Sequence, residues 1–204
     1  MFTVPALWLW GKVALVVLGC SALQSLVGFG FALFAVPALL WLGLGLPEAV
    51  SLAMAATCVQ GATGVVPPWR DVPWRIIAPV TAAFLLAVPP GIALMGVLVS
   101  LGPARMKQGV GAVLLLALAL WWLGRVEPRH RVAPGWGLAA GAAGGVLCGS
   151  VGMGGPPLVL WALAHRWTSA QMRGALLIIY AVGTPAQAVL LLHQFNADAT
   201  RGLL

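Results

Sequence analysis

The sequence predicts an all-α, polytopic membrane protein of two repeated halves, each opening with a glycine-broken helix, the second half truncated. Three observations lead there. Hydrophobic residues make up 61% of the 204 and charged residues 7%, against about 45–50% and about 25% in an average soluble domain. A soluble fold would have too few charges to cover its surface. The apolar residues gather in six runs, most near the ~20 residues that a membrane helix needs. Glycine (26) and proline (15) are plentiful, as membrane helices permit. A disordered chain is excluded by the high hydrophobicity. A disulfide scaffold is excluded by three scattered cysteines, Cys20, Cys58 and Cys148, without a pairing pattern.

The runs follow in order. The first is Val13 to Leu42, interrupted at Gly28 and Gly30. The second is about Pro47 to Val66, the third Ile76 to Val99, the fourth Met106 to Leu123. A polar stretch, Gly124 to Pro134, carries Arg125, Glu127, Arg129, His130 and Arg131. The fifth run is Gly135 to Leu163, interrupted around Gly152 to Pro157, and the sixth is Ala170 to Leu192. The chain divides accordingly into a first transmembrane repeat (1–123), a basic linker (124–134) and an incomplete second repeat (135–204). Most of the ten tryptophans stand at run edges, the interfacial belt where an indole keeps its N–H wet. Val17-Leu18-Gly19-Cys20 is a poor match to a lipoprotein cleavage box, and the first run reads as a retained span.

The net charge is +7, from 11 Lys and Arg against 4 Asp and Glu. In a soluble protein this would suggest nucleic acid. Here the basic residues sit in short gaps between apolar runs and do not alternate with aromatics, so they read as topology signals. If each broken run crosses the membrane, the eleven divide seven against four between the two sides. If each turns back as a hairpin they again divide seven against four. Both arrangements place Arg70 and Arg125 to Arg131 in the cytoplasm. Crossings would make the halves parallel repeats; hairpins would make them inverted ones.

The halves share a motif. The first holds Gln24-Ser25-Leu26-Val27-Gly28-Phe29-Gly30-Phe31; the second holds Cys148-Gly149-Ser150-Val151-Gly152-Met153-Gly154-Gly155, then Pro156-Pro157. Each lies inside the opening run of its half, a duplication typical of secondary transporters. Thirty helical residues would span about 45 Å, longer than the ~30 Å hydrocarbon core. The glycines weaken a helix interior, and Pro156 and Pro157 remove backbone donors. Each motif therefore reads as a half-helix, a turn and a second half-helix. Irregular backbone at membrane depth must be buried in protein or face a water-filled cavity. The two new helix starts, near Ala32 and Pro157, present free N–H groups and partial positive charge, a site for an anion without buried Arg or Lys. The competing reading is close helix packing, in which small residues let backbones approach.

The candidate binding residues are Gln24, Ser25, Gly28, Phe29, Gly30, Ser150, Gly152, Met153, Gly154, Gly155 and Pro156 around the two turns, with Thr57 mid-way along the second run. Thr63, Gln60, Thr184 and Gln187 are further neutral polar residues inside runs, read as helix–helix hydrogen bonds. No catalytic group, metal set or cofactor is expected, since His130, His165 and His193 stand in a loop and at run ends.

At these motifs the sequence resembles the sulfite exporter TauE/SafE family of membrane permeases, which carries Gly-x-Gly-Gly-Gly, an apolar stretch and Val-Pro once per half. The first copy here reads GFGFALFAVP, Gly28 to Pro37, and the second GMGGPPLVLW, Gly152 to Trp161. Phe31 and Ala32 replace family glycines in the first; Pro156 replaces the third glycine and Trp161 the proline in the second. The resemblance implies a secondary transporter for a small anion such as sulfite or an organosulfonate, in the bacterial inner membrane, with the lipid bilayer and the solute as its partners. Relative to the first half, the second ends about two spans early, with Asp198-Ala199-Thr200-Arg201 in the place of a loop. The chain is then a fragment or a shortened member that finds the missing surface in a partner, a homo-oligomer included. The alternatives are a non-transporting membrane scaffold or partner subunit and, with less to recommend it, an intramembrane enzyme.

Overall fold

The computed structural model describes residues 4–27, 30–63, 73–123 and 132–201. Among them are eight helices and no strand: α1 (Val4–Val27), α2 (Phe31–Trp41), α3 (Leu46–Thr63), α4 (Trp74–Ser100), α5 (Pro103–Leu123), α6 (Pro134–Val151), α7 (Gly155–Leu163) and α8 (Ser169–Arg201). Both long runs are interrupted where the glycines stand. The linker 124–131 lies outside the described residues.

Among the described residues two helices, Trp74–Ser100 and Ser169–Leu191, are long and apolar enough to cross a bilayer. By contrast α2, with 11 residues, and α7, with 9, reach only about 16 Å and about 14 Å at 1.5 Å per residue. Neither crosses a ~30 Å core.

The centre of the molecule is the packing of α4 on α6. Gly137, Gly141, Gly145 and Gly149 recur every fourth residue along one face of α6. A Cβ on Gly141 would stand 2.5 Å from the Val80 carbonyl oxygen, and Cβ atoms on Gly145 and Gly149 would fall onto the carbonyls of Phe84 and Val88. The contacts advance in the same direction on both helices, so α4 and α6 run parallel with their backbones touching. Gly91 completes the fit from the α4 side, its Cβ position 2.5 Å from the Val146 carbonyl oxygen. Lipid tails are as apolar as leucine, so association rests on such close van der Waals packing. The small-residue reading thus holds for this stripe, separately from the break.

The second break is a hairpin. Gly144 faces the Gly154 carbonyl and Leu158, and Gly137 faces Trp161, whose Nε1 lies 3.0 Å from where a Cβ would be. In a continuous rod Gly144 and Gly154 would be about 15 Å apart. α7 therefore folds back along α6. In the first half α2 packs on both α1 and α3, and Gln60 Nε2 donates to Ser21 Oγ at 2.8 Å, tying α3 to α1.

Two expectations are corrected. Asp198 to Arg201, read as a loop, continues α8 as helix. No glycine or proline occurs between His193 and Arg201 to stop it. Trp161 is not an interfacial belt residue. It is 1% exposed and packs edge-on to Trp167 and His165 at centroid distances of 5.2 and 5.1 Å. Trp8, Trp41 and Trp122 do stand on the surface.

Candidate functional site

Each break is built by a glycine that adopts a conformation other residues avoid. Gly30 has φ +98° and Gly152 φ +74°, the left-handed region where a side chain is strained. At the end of α6 the Gly152 amide donates to the Cys148 carbonyl at 2.9 Å and the Met153 amide to the Leu147 carbonyl at 3.2 Å. Two carbonyls that the helix end would leave open are thereby satisfied.

The starts of α2 and α7 are less bare than the sequence suggests. The Phe31 amide donates to Gln24 Oε1 at 2.9 Å, so Gln24 reaches over the break and caps α2. In α7 the second and third positions are Pro156 and Pro157, which have no N–H to offer. The free amide of that first turn is Gly155. Both starts keep the positive end of a helix dipole, worth about 0.3–1 kcal/mol each toward an anion and up to ~2 when partly buried.

Both starts open on one cavity of about 350 Å³. Of the expected residues, Gln24, Gly30, Thr57, Gly152, Met153, Gly154, Gly155 and Pro156 line it. Ser150 does not; its hydroxyl donates to the Val146 carbonyl of its own helix at 2.8 Å. Gly28 and Phe29 lie outside the described residues, as does the side chain of Ser25. Thr57 lines the wall with its hydroxyl donating to the Ala53 carbonyl at 2.8 Å. Among the described residues no Lys, Arg, Asp or Glu lines the cavity, and no group of three or more His, Cys, Asp or Glu is placed to hold a metal.

The structure adds a face of α8: Thr184 and Gln187, which the sequence left among helix–helix contacts, and Tyr180, for which it expected no role. Gln187 is fully buried. Its Nε2 donates to the Cys148 carbonyl at 2.7 Å, and Cys148 Sγ donates to its Oε1 at 3.0 Å. One amide thus reads both polar groups of Cys148 and pins α8 to the last turn of α6. The first half has a counterpart in Gln60 on Ser21; in both pairs the glutamine follows its partner by 39 residues. That equal spacing was present in the sequence, hidden because Ser and Cys occupy the partner position. Tyr180 is held by Phe84, edge to face at 6.3 Å and 90°.

A sequence profile of the family described as Sulfite exporter TauE/SafE matches residues 13–204. The chain belongs to the TauE/SafE sulfite exporter family. It is therefore a member of a membrane transporter family, and both broken helices fall inside the matched region. Among characterised proteins it is similar to a probable sulfite/organosulfonate exporter TauE of Cupriavidus necator. The two are 24% identical over 177 residues, covering 86% of this chain and 69% of that one. No solved structure matches this TauE/SafE chain.

Proposed function

We propose that the chain is a permease for a small sulfur-containing anion, sulfite or an organosulfonate, held in the cavity where the two broken helices meet. The observation that carries this reading is that both breaks line one cavity of about 350 Å³ with no Lys, Arg, Asp or Glu among its described lining residues. Two helix dipoles point their positive ends at it, which favours an anion without the several kcal/mol cost of burying an unpaired Arg or Lys. The TauE/SafE membership and the name of the Cupriavidus relative supply the sulfur chemistry.

The α6–α7 hairpin supports the inverted-repeat arrangement. The first repeat (1–123) and the second (135–204) then open with re-entrant hairpins of opposite orientation. This puts Arg125, Arg129, Arg131, Arg166 and Arg173 on the side of Arg70 and Arg75, the cytoplasm by the excess of basic residues. Access to the cavity alternates as the hairpins and α8 rock against one another.

The test is uptake of radiolabelled sulfite, sulfonates and carboxylates into proteoliposomes of the purified chain. Saturable sulfite or sulfonate uptake above protein-free vesicles is expected. Uptake of carboxylates alone, or of none of these anions, would overturn the reading. Gly154 is a poor probe of the site: a Cβ there would lie 2.6 Å from the Gly144 carbonyl oxygen and 2.9 Å from Cys148 Cβ, so Gly154→Leu breaks the hairpin whatever is bound.

A further inference from the structure

We infer that Tyr180 and Thr184 are the side chains that recognise the transported anion, their hydroxyls donating to its oxygens; this deepens the permease reading and rests on it. The two lie one turn apart on α8 and so share a face, and both line the cavity.

What sets them apart is the state of their hydroxyls. Thr57, Thr81, Ser100 and Ser150 each donate to a carbonyl of their own helix at 2.8–2.9 Å. Tyr180 and Thr184 have no hydrogen-bond partner among the described residues, and neither oxygen is sealed away from the cavity. Thr184 is nevertheless only 5% exposed. Buried hydroxyls without a partner are uncommon because leaving one unmade is costly. Two on one cavity-lining face are donors in search of an acceptor.

The hydroxyls stand where the backbone is short of donors. Tyr180 Oη is 3.4 Å from the position of a Cβ on Gly155, at the first residue of α7. Pro156 and Pro157 leave that helix start with the Gly155 amide, while Gln24 occupies the first amide of α2. The hydroxyls make good the shortfall. The edge-on contact with Phe84 restrains the Tyr180 ring, so its hydroxyl oxygen stays at the cavity wall. A sulfite or sulfonate group offers as many acceptor oxygens as this corner has donors. Each of the three oxygens can then take one donor, from the Gly155 amide and the two hydroxyls.

The experiment compares Tyr180→Phe, Thr184→Val, Thr184→Ser and Thr81→Val with the wild-type chain in proteoliposomes, measuring KM for sulfite uptake. Each hydroxyl-deleting change at 180 or 184 is expected to raise KM about tenfold or more, the loss of one hydrogen bond to a charged group. Thr184→Ser keeps the hydroxyl and is expected within about threefold of wild type, and Thr81→Val is expected unchanged. Wild-type KM in both Tyr180→Phe and Thr184→Val would overturn the inference. So would a Thr184→Ser protein as impaired as Thr184→Val, which would mean that the methyl group and packing matter rather than the oxygen. A Thr184→Val change that altered sodium dependence and left the sulfite KM alone would overturn it too, assigning the oxygen to a cation. A wild-type chain that moves no sulfite or sulfonate would instead overturn the permease reading itself.

Discussion

Replacing Gly141 with alanine measures the α4–α6 contact on which the hairpin is mounted. The added Cβ would stand 2.5 Å from the Val80 carbonyl oxygen and 3.2 Å from Ala83 Cβ. A carbon normally approaches a carbonyl oxygen no closer than about 3.3 Å, so the helices must part by close to 1 Å. Both are rigid and densely packed, so the displacement is shared by Gly145 and Gly149, which touch the next two turns of α4. Overpacking costs about 1–3 kcal/mol, and three weakened backbone contacts about 0.5–1 kcal/mol each. Alanine's better helix propensity returns up to ~1 kcal/mol. The net loss is about 2–5 kcal/mol, or a fall in Tm of roughly 4–20 °C for a chain of this size. Thermal unfolding of the detergent-solubilised protein, followed by size-exclusion chromatography after heating, reads it directly. The reference is Gly111→Ala, where nothing lies within 4 Å of the new Cβ; it is expected at or slightly above the wild-type Tm. Gly141→Ala with a Tm equal to that of Gly111→Ala would refute the close-packed stripe.

Gln187→Met keeps the volume and removes both bonds to Cys148; a loss of about 1–3 kcal/mol is expected, read as a Tm lower by several degrees, and an unchanged Tm would show that the clamp carries no stability. Phe84→Ala empties a fully buried site and releases the Tyr180 ring, with an expected cost of about 3–5 kcal/mol; its Tm and sulfite KM are expected to move together, and a shift in neither would count against the ring contact. Cys58 is exposed and lines the cavity while Cys20 and Cys148 are buried, so N-ethylmaleimide is expected to block transport by wild type and spare Cys58→Ser, with sulfite slowing the reaction; equal inhibition of both proteins would place the reactive thiol elsewhere. Single cysteines introduced at Arg129 and Arg166 in a cysteine-free background are expected to label from the same side of a sealed vesicle, as the hairpin requires; labelling from opposite sides would make α6 and α7 one crossing.

The sequence carried the breaks because a thirty-residue apolar run is too long for one crossing, and the glycines at 28, 30, 152 and 154 mark where it yields. It did not carry the direction of the second half-helix. That depends on what α7 finds to pack on, and the basic residues divide seven against four either way. The four-residue spacing of Gly137, Gly141, Gly145 and Gly149 is legible as a small-residue face, but spacing does not name the helix it meets, and α4 is the partner only in the folded chain. Gln24 was legible as a polar neighbour of the first break, and its role as the cap of α2 was not, because the bond spans seven residues across a turn. Tyr180 and Thr184 could be placed on α8 by periodicity. That their hydroxyls are unspent, while those of Thr57 and Ser150 are spent on their own helices, is a property of side-chain orientation that spacing does not encode.

The absence of a cation among the described lining residues suits a carrier better than it suits a receptor. An Arg or Lys at this depth would cost several kcal/mol to bury alone and would hold a sulfonate by a charge-assisted pair that is hard to break. Passage requires the opposite balance: binding strong enough to replace part of the hydration shell, weak enough to release on the far side. Two dipole ends at up to ~2 kcal/mol each and two hydroxyl donors to a charged acceptor at about 1.5–3 kcal/mol each sum to about 3–10 kcal/mol before the cost of dehydration. The dehydration cost is subtracted from that sum, which leaves a weaker hold than a buried charge pair would give. The proline pair at α7 fits the same balance. On the permease reading, Pro156 and Pro157 delete two amides from a helix start that would otherwise grip an anion and leave recognition to side chains on α8, across the cavity from α7.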